Sequence, residues 1–170
     1  MSIFKVVSYK SHSTGLYGLQ DVLTYIRRAT ATQTAYIYGV NVSEFDPFTE
    51  MALVKAAYNQ SRGKMFNHYI LNPEPEDCCP NLLPRLWAAG QEITKYISRF
   101  HGAYQVIFAV HFDCDYPHLH FIANNIDYET GKRFDLGLKR LCELKKAISV
   151  ILIKYGISKV RQGKSHKYHK

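Results

Sequence analysis

Three histidines lie within ten residues of one another, at positions 111, 118 and 120. Side chains alternate between the two faces of a strand, so His118 and His120 point to the same face. A hairpin closed by residues 114–117 would bring His111 opposite this pair. Three imidazoles that converge on one point and leave positions open for substrate are typical of a divalent-metal site. The spacing H-x6-H-x-H therefore favours a metal site over three unrelated histidines.

Two further side chains share the predicted face. Asp113 lies two residues from His111, where its carboxylate could accept an imidazole N–H and fix the orientation of the ring. Asn124 continues the face of His118 and His120. Three histidines suit zinc in a hydrolase, and they also suit manganese or magnesium when phosphate oxygens complete the metal's shell. We expect manganese or magnesium, with zinc as the alternative.

The charge of the chain indicates a polyanionic partner. The sequence contains 22 Lys and Arg against 14 Asp and Glu, a formal net charge of +8, and such a field attracts nucleic acid. A metal beside a basic surface favours phosphodiester chemistry, in which the nucleophile is either water or a side chain. Candidate contacts to phosphate are Arg27, Arg28, Lys64, Lys132 and Arg133.

Tyr25 is the candidate nucleophile among the 13 tyrosines. Apolar residues recur at helical spacing from residue 16 to residue 29, and Tyr25 falls outside their stripe. It is followed closely by Arg27 and Arg28. Because a phenol ordinarily titrates near 10, it would need the metal or a base to react. Without the histidines, Tyr25 would be interpreted as an amphipathic residue at a helix boundary.

The elements that must position these residues follow from hydrophobic periodicity and from turn residues. The sequence predicts strands at residues 3–9, 34–42, 65–72, 104–113 and 118–127, and helices at residues 16–29, 48–60, 81–100 and 136–155. The predicted helix 48–60 would pack through Met51, Val54 and Tyr58. The hairpin between the last two strands argues against a parallel sheet. We therefore expect an α+β fold, with a central five-stranded antiparallel sheet flanked by helices.

The length of 170 residues predicts one domain, which we assign to residues 1–156. Residues 157–170 contain five basic residues and no acidic residue, which predicts a basic tail or the start of a linker to a further region. No apolar run approaches the roughly 20 residues that span a bilayer, and no export signal is evident. We expect a cytoplasmic protein without membrane insertion.

The pattern H-x-D…P-H-x-H…N, preceded by a tyrosine in the first helix, resembles the relaxases of plasmids and conjugative elements in the HUH superfamily, of the relaxase and mobilisation nuclease type. The resemblance covers most of the chain, and the histidine motif is its most specific part. Besides that motif it includes residues 25–26, 66–71, 104–125, 131–132 and 155–156.

The resemblance implies a metal-dependent enzyme that nicks one DNA strand at a transfer origin. His111, His118 and His120 would hold the cation, and Tyr25 would attack a phosphodiester to give a 5′-phosphotyrosyl link and a free 3′-hydroxyl. Asp113 matches the acidic position of the motif, with a role in orienting a histidine or accepting the phenolic proton, and Asn124 matches its asparagine. The implied partners are single-stranded or hairpin DNA of the origin, an accessory DNA-binding protein and a coupling protein.

Three other interpretations remain open at this point. Replication initiators and single-strand transposases of the same superfamily place the tyrosine after the histidines, where Tyr155 stands near the end of the last helix. A metal-dependent phosphodiester hydrolase would use water and no tyrosine. A noncatalytic binder of single-stranded DNA would use basic and stacking residues such as Tyr36 and Tyr38.

Overall fold

Strands and helices alternate along most of the chain. The computed structural model describes residues 1–9, 15–60, 62–78 and 80–162. The strands are β1 (Ile3–Val6), β2 (Ile37–Val40), β3 (Phe66–Asn72), β4 (Val106–His111) and β5 (His118–Asn124). The helices are α1 (Leu16–Ile26), α2 (Pro47–Ala57), α3 (Leu82–Ser98) and α4 (Leu138–Lys154), and short 3-10 turns cover Thr34–Tyr36 and Pro75–Asp77.

The five strands form one sheet in the order β1-β3-β5-β4-β2, and every neighbouring pair is antiparallel. The α+β fold with a five-stranded antiparallel sheet is confirmed. β5 lies at the centre, between β3 and β4, so side chains from three strands can meet on either of its faces. In the β4–β5 hairpin His111 pairs directly with His118.

Helices cover both faces of the sheet. One face packs mainly against α3 and α4 through the larger apolar cluster, which includes Phe108, Leu119 and Phe121. The other face packs against α1 and α2 through a smaller cluster that includes Ile107 and Ile122. Because both faces are covered, every residue of β4 and β5 is buried. The histidines belong to the α1 and α2 side, since His111 shares its face of the sheet with Ala109, and His120 shares it with Ile122.

Some predicted elements are shorter than expected. The predicted strand 34–42 begins with a 3-10 turn, in which the Tyr36 amide donates to the Gln33 carbonyl, so only Ile37–Val40 pairs with β4. The first helix ends at Ile26 rather than near residue 29, and the Arg27 guanidinium donates to the carbonyls of Leu23 and Glu44. This early end places Tyr25 in the last turn of α1.

The first residues of the predicted tail belong to the packed domain. Ile157 and Val160 are buried in the larger apolar cluster, and Ser2 forms a parallel bridge with Val160. The Ser158 hydroxyl also donates to the Asp77 carboxylate at 3.0 Å. The periodicity that defines helices and strands is absent here, so the sequence did not reveal this packing. Residues 163–170 lie outside the described residues. None of the helices described has the length and apolar character needed to cross a bilayer.

A lysine occupies the inner face of α2, where an apolar residue was expected. Met51 is buried as predicted, whereas the next inward position of the helix is Lys55, which is 1% exposed. Its ammonium donates to the Met65 carbonyl at 2.6 Å and to the side-chain oxygens of Asn124 and Asn125. Burial lowers the pKa of Lys55 to about 7. This lysine ties α2 to the ends of β3 and β5.

We expect Lys55→Met to lower the free energy of unfolding by about 2–4 kcal/mol, because three buried oxygens lose the ammonium that donates to them. Urea denaturation followed by circular dichroism measures the change. Lys146→Met, at an exposed position of α4, is the matched control and should shift the midpoint little. Equal midpoints for the two variants would contradict a structural role for Lys55.

Candidate metal centre and candidate nucleophile

The three histidines of the motif meet at the end of the β4–β5 hairpin. The ring centroids are 4.2 Å apart for His111 and His120, 5.0 Å for His118 and His120, and 5.5 Å for His111 and His118. One ring nitrogen from each lies within 4.8 Å of the others. The pairing of His111 with His118 and the two-residue repeat of β5 produce this convergence.

The nitrogens of the cluster fit a divalent cation. His111 Nε2 lies 2.9 Å from the Ile26 carbonyl, which assigns a proton to Nε2 and leaves a lone pair on Nδ1. His111 Nδ1 and His120 Nε2 are buried and have no hydrogen-bond partner among the described residues. Burial lowers the pKa of both imidazoles, that of His120 to about 2 with help from the neighbouring histidines. Neutral imidazoles with free lone pairs are what a divalent metal binds.

Tyr25 lies beside this cluster. Its ring centroid is 5.6 Å from that of His111 and 5.5 Å from that of His120, and the side chain is 43% exposed. The guanidinium carbon of Arg28 sits 4.0 Å above the phenol ring. The structure thus brings together the predicted nucleophile, an arginine and the metal-ligating candidates.

Tyr155 lies elsewhere. Its hydroxyl is 2.8 Å from a carboxylate oxygen of Glu92 on α3, which also binds Lys154. Tyr155 packs against the larger apolar cluster, on the face of the sheet opposite the histidines. The sheet therefore separates this tyrosine from the candidate metal centre.

Asp113 is held by an arginine. Its Oδ2 accepts a hydrogen bond from Arg28, and its Oδ1 lies 3.7 Å from His111 Nδ1, beyond hydrogen-bonding distance. The ring of His111 is oriented instead by the backbone carbonyl of Ile26. The sequence did not indicate this partner, because it depends on where α1 ends against the sheet.

Asn124 lies at the other end of β5. It lies six positions after His118, which amounts to about 20 Å along the strand. Its side chain is fully buried and binds Lys55, the Met51 carbonyl and the side chain of Gln105. In this structure its contacts join α2 to the sheet and do not involve the histidines.

The predicted phosphate contacts fall into two groups. Arg27 and Arg28 follow the end of α1. Arg28 lies over the Tyr25 ring, whereas the Arg27 guanidinium donates to the carbonyls of Leu23, Glu44 and Phe45. The other three lie at the far end of the sheet, near the start of β3 and after β5. There the Arg133 guanidinium donates to Gln60 and to the carbonyls of Arg62 and Lys64, while the side chains of Lys64 and Lys132 are exposed.

A groove of about 360 Å³ opens onto the histidines. Its walls include Lys5, Tyr25, Cys114, Tyr116, His118 and His120. Sequence reasoning missed Lys5, and it also missed His68, whose Nε2 lies 2.8 Å from His120 Nδ1. Strand alternation puts each of them on the histidine face, but the pairing of β3 with β5 could not be read from the sequence.

Comparison with known proteins gives a family and several relatives. Residues 25–157 match the family model described as relaxase, MobA/VirD2-like, nuclease domain. Two curated Staphylococcus aureus proteins named Protein rlx are 30% identical over 101 residues and 28% identical over 109 residues. Those stretches cover 59% and 64% of this chain, but only 29% and 33% of the relatives, so the chain matches about a third of their length.

Two solved structures share the fold. One is a MobM relaxase domain bound to plasmid pMV158 oriT DNA and manganese, with a TM-score of 0.59 and 13% identity, covering 99% of this chain and 92% of that one. The other was described for the molecular basis of vancomycin resistance transfer in Staphylococcus aureus. It has a TM-score of 0.63 and 15% identity, with coverage of 98% and 100%.

If the three histidines bind a divalent cation, Mn²⁺ at about 100 times its dissociation constant should raise the melting temperature by roughly 5–10 °C. Differential scanning fluorimetry measures this shift. His118→Ala should abolish it. His101→Asn is the control, because His101 is exposed on another surface and its φ of 57° suits asparagine. A shift that survives in His118→Ala would place the cation elsewhere.

Proposed function

The chain belongs to the MobA/VirD2-like relaxase family, and from this premise we propose that it nicks one DNA strand at a transfer origin through covalent attack by Tyr25. The proposal rests chiefly on one observation: an exposed tyrosine at the end of α1 lies about 5.5 Å, ring to ring, from two of the three clustered histidines. Tyr155, the alternative nucleophile, lies on the other face of the sheet, which disfavours the initiator or transposase mechanism for this chain.

The reaction we propose is a transesterification. The Tyr25 oxygen forms a bond to phosphorus, and the bond from phosphorus to the 3′ oxygen breaks. The phenolic proton is lost and the 3′ oxygen gains one, so the products are a 5′-phosphotyrosyl strand and a free 3′-hydroxyl. Because no phosphodiester is hydrolysed, the 3′-hydroxyl can attack the tyrosyl phosphate and rejoin the strand.

His111, His118 and His120 would hold the divalent cation, manganese or magnesium by our proposal, which when bound polarises a phosphoryl oxygen. Arg28 places a positive charge over the Tyr25 ring, where it stabilises negative charge developing on the phenol. Asp113 holds Arg28 in that place. Lys5, on the wall of the groove, adds positive charge where a phosphate would lie.

We propose that the groove takes a single strand. Its entrance carries Tyr116, 46% exposed, and exposed aromatic rings offer stacking surfaces to unpaired bases. Lys64, Lys132 and Arg133, about 20 Å away along the strands, are suited to the phosphates of a neighbouring hairpin or duplex. The family further suggests an accessory DNA-binding protein, a coupling protein and action in the cytoplasm on a mobile element. The catalytic domain would comprise residues 1–156 together with residues 157–160, which pack against it.

Incubation with labelled single-stranded DNA from the element's transfer origin and Mn²⁺ should give a protein–DNA adduct on a denaturing gel. Tyr25→Phe should form no adduct, and its cleavage rate should fall by about 1000-fold or more. Tyr155→Phe should retain both the adduct and the cleavage. Chelation by EDTA should also abolish the adduct. Mass spectrometry of the adduct identifies the modified residue.

Cleavage by Tyr25→Phe at an unchanged rate would sink the covalent mechanism and point to hydrolysis by water. Loss of the adduct in Tyr155→Phe alone would transfer the reaction to the initiator or transposase class. DNA binding without metal dependence or cleavage would make the chain a noncatalytic binder.

The two groups of basic residues should differ in their effects. We expect Arg28→Gln to slow cleavage by about 10–100-fold, because it removes charge beside the reacting oxygen. Lys132→Gln should weaken DNA binding and reduce the slope of log K against log salt by about 1, while saturating DNA restores its cleavage rate. Single-turnover kinetics measure the cleavage rate, and fluorescence anisotropy measures DNA affinity. Equal changes of both quantities in the two variants would contradict separate roles for the two groups.

A further inference from the structure

A chain of hydrogen-bonded side chains runs behind His120. The Tyr9 oxygen lies 2.5 Å from His68 Nδ1, and His68 Nε2 lies 2.8 Å from His120 Nδ1. His68 is 4% exposed and His120 is 2% exposed. This hydrogen-bond chain lies on the side of His120 opposite its Nε2, which is buried and has no partner in the part of the protein that the structure describes.

Packing holds these three rings in place. The Tyr9 ring makes an edge contact with Phe66 at 5.1 Å between centroids and lies nearly parallel to the His68 ring at 5.9 Å. The centroids of His68 and His120 are 5.1 Å apart. β3 and β5 are paired neighbours, so the two histidines are fixed relative to each other by the sheet.

The other two histidines are oriented differently. His111 contacts the backbone carbonyl of Ile26 at 2.9 Å, and His118 Nδ1 lies 3.4 Å from the backbone carbonyl of Tyr116. Among the three, His120 is therefore the histidine whose hydrogen-bond partner in the described part of the chain is a side chain. Its orientation can be altered by substitution without changing a backbone segment.

The direction of the hydrogen bonds decides whether His120 can bind a metal. A neutral imidazole has one N–H and one lone pair. If His120 Nε2 is to offer a lone pair, its proton must be on Nδ1, which then donates to His68 Nε2. The proton of His68 is then on Nδ1 and is donated to the Tyr9 oxygen. In the opposite arrangement Tyr9 donates to His68, and His120 Nε2 carries a proton and cannot bind.

We propose that His68 and Tyr9 are positioning residues that hold His120 in the tautomer and ring orientation presenting Nε2 to the cation. Binding of the cation selects one direction of donation along these hydrogen bonds, in which the Tyr9 oxygen is the last acceptor. Its O–H is then no longer donated to His68. This inference rests on the proposed function and adds to it two residues outside the histidine motif.

Mn²⁺ affinity at fixed pH tests the inference without DNA or turnover. Electron paramagnetic resonance of free Mn²⁺ gives the dissociation constant for the whole chain. His68→Leu removes the acceptor for His120 and should weaken binding by 10–100-fold. His68→Gln keeps an oxygen acceptor and should recover most of that loss. Tyr9→Phe keeps the ring packing and should weaken binding by a smaller factor, about 2–5-fold.

Tyr69→Phe is the matched control. Tyr69 follows His68 in β3, but its side chain points to the other face, and its buried hydroxyl has no hydrogen bond to any residue that the structure describes. Its Mn²⁺ affinity should equal that of the wild type. Thermal melts without metal show whether each variant folds. If His68→Leu does not fold, the Mn²⁺ affinities of His68→Gln and Tyr9→Phe, compared with that of Tyr69→Phe, still test the positioning role.

The tautomer is observed directly by ¹⁵N NMR of histidine-labelled protein with diamagnetic Zn²⁺. We expect a protonated Nδ1 and a metal-bound Nε2 for His120, and a protonated Nδ1 for His68. A His120 that binds through Nδ1 would overturn the inference.

The outcomes distinguish this inference from the proposed function. Wild-type protein that takes up no divalent metal would overturn both. Wild-type affinity in His68→Leu and Tyr9→Phe, with DNA nicking intact, would overturn the positioning role alone. Mn²⁺ binding that is weaker in His68→Leu and mostly recovered in His68→Gln would support the positioning role.

Discussion

The pairing of β4 with β5 is the constraint on which the site depends. Opposed strands place His111 against His118, and the two-residue repeat adds His120 on the same face. A slip of one residue would turn His118 and His120 away from α1. The apolar side chains of β5 that now face α3 and α4 would then face α1 and α2. The buried apolar residues on the other face, such as Phe108 and Leu119, make that slip costly. The same burial that stabilises the hairpin therefore fixes the histidine geometry.

The two faces of the sheet have different compositions and different tasks. The α3 and α4 side is a nearly continuous apolar layer, and most of the buried hydrophobic side chains lie there. The α1 and α2 side has a smaller apolar cluster and buries polar groups, including Lys55, His68 and Asn124. Buried polar groups destabilise a domain unless they are paired. Here hydrogen bonds made by Lys55 and His68 satisfy the buried polar groups. The larger apolar cluster on the α3 and α4 side contributes more of the hydrophobic stabilisation than the α1 and α2 side does.

The end of α1 connects the candidate metal centre with Tyr25, the candidate nucleophile. Ile26 is buried against the sheet, and its carbonyl contacts His111, while the preceding Tyr25 remains partly exposed beside the groove. Arg28, just beyond the helix, contacts both the Tyr25 ring and Asp113. A shift of this turn would change the environment of the tyrosine and of His111 together, so the packing of one helix end sets the relation between the two parts of the site.

The sequence by itself determined the α+β class, the hairpin and the convergence of the three histidines, because strand alternation and turn residues are local and have fixed periods. It also predicted that Tyr25 lies outside the apolar stripe of the first helix, because that stripe has a local period as well. Tertiary structure decided which strands are neighbours, and with that the contact of His68 and Tyr9 with His120. It also decided that Lys55 and Val160 are buried and that Tyr155 lies behind the sheet. These contacts join residues far apart in the chain, and no local periodicity encodes them.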